Sequence, residues 1–302
     1  MAVATLVRLV VVSLLYVTRC DHMADDRSPT LRRRELGRRL RDLRADRTIQ
    51  EVADALGVSP PTISRIETGA RTATRRNVLA LCELYGVDDS LRRQLLDLAR
   101  QASEQGWWHK YDDLGIDPLI GLEIEAVRIS SYELCVIPWM FQTKEYARSV
   151  IRGMSPRMSA NVLEERAEAR LIRQELLTRE SPPHFWSIVD ESALRRRVGG
   201  AKVMRNQLGR MLELAALPNV TLQVVPFSLG AHPGLKNPFT FLEFRPPQSP
   251  VVFVESTAGN LFLERVADLE GHEESFQHLR AAALDPDTSV HLIEEIEKTF
   301  GP

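Results

Sequence analysis

The sequence predicts an all-α bundle of five helices followed by an α+β domain, and three observations carry that division. Apolar residues recur at helical spacing in five segments between residues 31 and 101. Beyond residue 105, short β-branched and aromatic runs alternate with longer helical patterns. Charge divides the same way: Arg27 to Arg76 holds thirteen arginines against six acidic residues, a balance of +7, whereas everything after Arg76 sums to -8. A basic segment tied to an acidic remainder suggests that one part alone meets a polyanion.

At 302 residues the chain can bury two separate cores, and its 26% charged residues are ordinary for a soluble globular protein. Cys20, Cys82 and Cys135 lie too far apart for a zinc site or a redox motif, and Cys82 sits on an apolar helical face as a small core residue. The opening stretch MAVATLVRLVVVSLLYVTRC needs separate treatment. Its uninterrupted apolar part runs only from Leu9 to Val17, short of the ~20 residues a membrane span needs. No small-residue cleavage site follows, and Met23 opens MADDRSPT, which reads as a cytosolic N-terminus. Residues 1–26 are therefore expected to be an extension outside the fold, the first 22 of them arising from a start codon set too far upstream. The expected location is the cytoplasm.

Leu31 to Arg44 places Leu36, Leu40 and Leu43 on one side of a helix with arginines on the others. Ile49 to Leu56 makes a short second helix with Val52, Ala53 and Leu56 inward, and Gly57 supplies the left-handed turn that ends it. Ser59 is expected to cap the third helix by accepting from the N–H of Thr62. Pro60 and Pro61 then occupy the first helical positions, where a missing N–H removes no intrahelical bond, so they start the helix rather than break it. Two more helices, Arg75 to Leu84 and Ser90 to Gln101, complete the bundle.

Two short helices joined through a glycine turn, beside a basic first helix, make a helix-turn-helix. Ala53 is small where the helices cross, and Val58, Ile63 and Ile66 face the core. Pro60, Pro61, Thr62 and Arg65 remain outward on the third helix. A capped, rigid N-terminus of this kind enters a major groove at little entropic cost. Pro60, Pro61, Thr62, Ser64, Arg65 and Arg71 are the candidate contacts to double-stranded DNA, Arg65 and Thr62 being the candidates for base edges.

Residues 105–302 are expected to form the second domain, beginning in QGWWHKYDDLGIDP, where Trp107, Trp108 and Tyr111 are read as packing between domains. Strands are predicted at Phe185 to Val189, Val220 to Val225, Phe239 to Phe244, Val251 to Glu255 and Leu261 to Leu263. Helices are predicted at Ser159 to Thr178, Ala201 to Leu217, Ala267 to Ala283 and Ser289 to Thr299. The order from Phe185 to Val225 permits one parallel crossover, and the closely spaced strands after it suggest antiparallel hairpins.

VADALGVSPPTISRIETGAR resembles the lambda-repressor-like, Xre-type helix-turn-helix at Val52, Ala53, Gly57, Ser59, Ile63, Ser64, Ile66, Glu67 and Gly69. The resemblance implies that Glu67 is structural and pairs with Arg44. It departs at Ile49, where the family carries a glutamine that contacts the DNA backbone, and in the shortened turn ADRT. The segments QTKEYARSVIR, ERAEARLIRQELL, VDESALRRRVGG, NVTLQVVPFSLGAHPG, PFTFLEF and RAAALDPDTSV resemble the large C-terminal domain of many actinomycete regulators of this type. Trp139 stands where that family has glycine. The resemblance implies a regulator paired with a small protein encoded nearby, and no catalysis.

Other readings compete for the second domain. His184, Asp190, Glu191 and His232 could assemble a metal or acid/base site, although their spacing matches no ligand pattern. ALRRRVGG lacks the Lys-Ser/Thr of a phosphate loop and reads as a charged helix end before a turn. EERAEARLIRQELLTRE reads as a solvated, charge-alternating helix face, with Leu163, Leu171 and Leu176 a candidate partner groove. The expectation is a non-enzymatic transcriptional regulator, a homodimer without cofactor or metal, whose acidic domain binds a protein partner or a ligand. An antitoxin-like module that neutralises a small protein, and a DNA-linked enzyme, are the alternatives.

Overall fold

The computed structural model describes residues 31–103, 117–246, 248–256 and 259–301. The expected N-terminal extension and Trp107, Trp108 and Tyr111 lie outside the described residues. The chain divides into two compact units, Met1–Glu104 and Gln105–Pro302.

The first unit is a bundle of α1 (Leu31–Arg44), α2 (Ile49–Leu56), α3 (Pro60–Glu67), α4 (Arg75–Leu84) and α5 (Asp89–Ser103). Each helix contributes to one core, in which Leu36, Leu40, Val52, Ile63, Val78 and Leu95 are almost fully buried. Burying a side chain of this size stabilises the fold by about 1.5 to 3 kcal/mol, enough in sum to hold short helices that would fray alone. Gly37 is what lets α1 approach the end of α3: a Cβ there would lie 2.4 Å from the carbonyl oxygen of Glu67 and 2.6 Å from that of Ile66.

The second unit is α+β, built on a six-stranded sheet. Its described elements begin with α6 (Asp117–Glu125), β1 (Arg128–Glu133), a 3-10 turn at Trp139–Phe141, α7 (Lys144–Met154) and α8 (Ala160–Gln174). There follow β2 (His184–Asp190), α9 (Glu191–Arg195), α10 (Ala201–Ala215) and β3 (Val220–Val225). The chain ends through β4 (Phe239–Glu243), β5 (Val251–Val254), β6 (Leu261–Leu263), α11 (Val266–Ala282) and α12 (Pro286–Thr299). The strand order is β3-β2-β1-β4-β5-β6, with β1, β2 and β3 parallel and β4, β5 and β6 antiparallel.

The parallel crossover and the hairpins agree with expectation, but β1 is a central strand that the sequence pattern does not announce. Its four middle residues are all buried, and two of them are serines. Ser131 lies opposite Ser187 on β2 and donates to its Oγ at 3.1 Å, so the hydroxyls satisfy each other inside the sheet. Helices α6 and α7 are likewise additions to the predicted set. The helix expected from Ser159 to Thr178 ends earlier, at Gln174, and continues as a 3-10 turn over Glu175–Leu177.

The solvated reading of α8 holds at Glu165 and Glu168, which are exposed, and is corrected at Arg173. Arg173 is buried to 1% exposure and bound to Glu123 of α6, itself 0% exposed, with Nη2–Oε1 and Nε–Oε2 distances of 2.6 and 2.8 Å. A carboxylate fifty residues away in sequence turns this face of the helix inward. Leu163 is buried against Ala147, Ile151 and Ala167, so it does not line an open partner groove. Trp139, in the place of the family's glycine, donates Nε1–H to Glu123 Oε1 at 2.9 Å and lies under the Arg173 guanidinium at 4.4 Å.

Candidate nucleic-acid interface

The helix-turn-helix is assembled by local rules. Thr48 caps α2 in a reciprocal box: the Glu51 N–H donates to Thr48 Oγ1 at 3.2 Å, and the Thr48 N–H donates to Glu51 Oε2 at 2.7 Å. Gly57 ends that helix at φ 64°, and the Val58 N–H returns to the Ala53 carbonyl at 3.0 Å. Ile49, where a phosphate-binding glutamine would stand, packs its side chain against the core.

Helix α3 begins with both prolines at its first positions, as expected, but the Ser59 side chain caps no backbone N–H. This corrects the predicted bond to Thr62. Pro61 has no N–H to offer, and the Thr62 N–H is already taken by the Ser59 carbonyl at 2.8 Å. The Ser59 hydroxyl instead meets the Thr62 hydroxyl at 3.0 Å, and Arg71 Nη1 donates to that same Thr62 oxygen at 3.3 Å. The loop after α3 is thereby folded back on it, with the Arg71 N–H donating to the Arg65 carbonyl at 2.9 Å.

Ile63, Ile66 and Glu67 are buried, so the rest of the short helix faces outward. Pro61, Arg65 and Arg71 are exposed, while Pro60, Thr62 and Ser64 are half-buried. Glu67 accepts from Arg44 at 2.7 Å (Nε–Oε1) and 3.3 Å (Nη2–Oε2), the structural pair that the family resemblance implies. That hydrogen bond raises the Arg44 pKa, and burial together with Glu67 pushes the Tyr85 hydroxyl up to about 12.

The arginines of this unit fall into two groups. Arg38 and Arg39 are committed to Glu35, whose carboxyl is held below its usual range: burial opposes its ionisation, and hydrogen bonds from Arg39 and Arg38 outweigh burial. Arg65 makes no ion pair among the described residues, and Arg75 and Arg76 are exposed in the first turn of α4. Those last two were not among the sequence candidates, although the Thr74 cap before them is a readable helix-start signal.

Comparison with known proteins supplies two matches. Residues 35–95 match a family described as a helix-turn-helix domain. Residues 116–295, more than half of the chain, match the family described as domain of unknown function DUF5753. The chain belongs to the DUF5753 family. No curated protein matches it, and no solved structure does. The helix-turn-helix match covers α2 and α3 whole, and the DUF5753 match covers the entire six-stranded sheet.

Within the DUF5753 domain the suspected cluster of His184, Asp190, Glu191 and His232 does not assemble as a set. His232 Nε2 lies 3.5 Å from Asp190 Oδ2, but Glu191 is engaged by Arg195 at 2.6 Å and by the Phe227 N–H at 2.8 Å. His184 is exposed at the opposite end of β2. Among the described residues, no group of three or more His, Cys, Asp or Glu could hold a metal ion. No helix of the described residues is long and apolar enough to cross a membrane.

Proposed function

We propose that this DUF5753 protein is a sequence-specific, Xre-type transcriptional regulator of the actinomycete kind that acts in the cytoplasm. In this reading α3 enters the major groove, Arg65 and Thr62 read base edges, and Pro60, Pro61, Ser64 and Arg71 shape and anchor that approach. Arg75 and Arg76 join the exposed cations that offset phosphate charge. The observation that supports it most is α3 itself: Ile63, Ile66 and Glu67 are locked in the core while Pro61 and Arg65 stand in solvent.

A single helix-turn-helix reads only a few base pairs, so the working unit is a homodimer on two half-sites about 34 Å apart. The -8 charge after Arg76 is repelled by a duplex, which leaves the DUF5753 domain free to bind a small basic protein or a ligand without catalysing a reaction. Selection of bound duplexes from a random library, followed by gel shifts at several salt concentrations, tests the reading. A two-fold-symmetric site is expected. Equal retention of every sequence at every salt concentration counts against it.

A further inference from the structure

A cavity of about 140 Å3 opens in the DUF5753 domain beside α8, and its walls have two characters. Leu119, Trp139, Ile151, Met154 and Phe253 form apolar wall, with the Trp139 and Phe253 rings edge-to-face at 5.9 Å. The remaining wall is polar: it holds one carboxylate, Glu255, and three arginines, Arg166, Arg170 and Arg173, which follow at helical spacing and so share one face of α8.

The arginines are not equivalent. Arg173 is committed to the bidentate pair with Glu123. Arg170 donates Nη1–H to Gln142 Oε1, a neutral amide, at 2.7 Å and has no ion pair among the described residues. Burial and the neighbouring Arg173 pull its guanidinium down to about 10, against the opposing pull of Glu255 and Glu133. A cation desolvated this far regains little of its lost hydration from one amide, and an incoming carboxylate would return more through a bidentate bond.

The apolar wall selects what the carboxylate must carry. A cavity of about 150 Å3 accepts a benzene-sized molecule, so this one suits a ring or a short branched chain. An inorganic anion would leave Trp139 and Phe253 uncovered, and a neutral apolar molecule would add no negative charge to a wall in which Glu255 faces more than one arginine.

We infer that this cavity binds a small organic carboxylate whose aromatic or branched body packs on Trp139 and Phe253 while its carboxylate pairs with Arg170. The inference rests on the DUF5753 domain being the sensing part of the regulator, and it names the ligand class. Leu119 on α6 and Asn260 beside β6 both line the cavity, so the ligand would join the first described helix of the domain to one end of its sheet.

Isothermal titration of the full chain decides it, with benzoate and 3-methylbutanoate as probes and benzyl alcohol and inorganic phosphate as controls. One carboxylate per chain is expected, at least tenfold tighter than either control. Arg170→Met should weaken binding at least tenfold. Should that variant lose its fold by circular dichroism, Met154→Trp decides, because Met154 is 63% exposed and its replacement obstructs the cavity from the rim. No saturable heat from either carboxylate at about 10 mM overturns the inference, as does benzyl alcohol binding as tightly as benzoate, or either folded variant binding like the wild type. Gel shifts on the same protein separate the two readings. A chain that binds DNA but no carboxylate sinks the cavity assignment alone, whereas one that binds carboxylate but no DNA sinks the regulator.

Discussion

Replacing Glu123 with glutamine removes one charge from the interior of the DUF5753 domain while keeping its shape. Three hydrogen bonds converge on this carboxylate, from Arg173 at 2.6 and 2.8 Å and from Trp139 at 2.9 Å. Neither ion is solvated, Arg173 being 1% and Glu123 0% exposed. Removing one partner of such a pair costs about 3 to 5 kcal/mol, because the surviving charge stays buried without compensation. The amide oxygen still accepts a bond and the indole still stacks on the guanidinium, so the lower end, about 3 kcal/mol, is expected. In a unit of this size that loss lowers Tm by roughly 6 to 12 °C. Thermal unfolding followed by near-ultraviolet circular dichroism reads it, since the Trp139 environment reports on the site. A drop of under about 2 °C would refute the reasoning. The double variant Glu123→Leu with Arg173→Met should recover to within about 1 kcal/mol of wild type, because it removes both desolvation penalties together. A double variant as unstable as the single one would make shape, rather than charge, the governing cause.

Arg65→Ala should cost about 1 to 3 kcal/mol against the selected duplex and relax preference at one base position; a loss uniform across operator variants would make it a phosphate contact. Glu67→Ala, which strands the partly buried Arg44, should lower the stability of the first unit by about 1.5 to 3 kcal/mol in urea titration, and unchanged unfolding would dismiss the pair. Gly37→Ala should destabilise the same unit by at least about 1 kcal/mol, because the atoms its Cβ would meet are backbone carbonyls that cannot rotate away; a stabilised variant would mean the helices separate freely. Glu133 should make stability fall as pH rises. Burial first, and then the Glu255 charge, push its carboxyl up to about 8 against the pull of Arg170, with Tyr146 also facing it. The folded chain therefore holds a proton that the unfolded chain releases near 4.5, and this stabilisation, full below 4.5, is lost as pH approaches 8. Glu133→Gln should flatten the Tm profile between those limits, and an unchanged slope would refute the assignment.

The sequence by itself determined the helix-turn-helix and most of the later elements, since their signals are local. Thr48, Gly57 and the paired prolines start and stop helices through their own backbone chemistry, and Ile63 and Ile66 declare the buried side by spacing alone. Tertiary structure decided what depends on a distant partner. RISSYE hides a central strand because a hydroxyl such as that of Ser131 is satisfied in the interior only when Ser187 arrives from β2. The charges of α8 read as a solvated face until Glu123, on another helix, draws Arg173 inward and leaves Arg170 beside a cavity. Even the Ser59 cap failed for a reason of geometry, its target N–H having been taken by the Ser59 carbonyl. Spacing along one chain records which face of an element is apolar. Whether a polar side chain meets water or a counter-charge is settled by what the fold brings against it, because the same guanidinium is stable in either place once its charge is compensated.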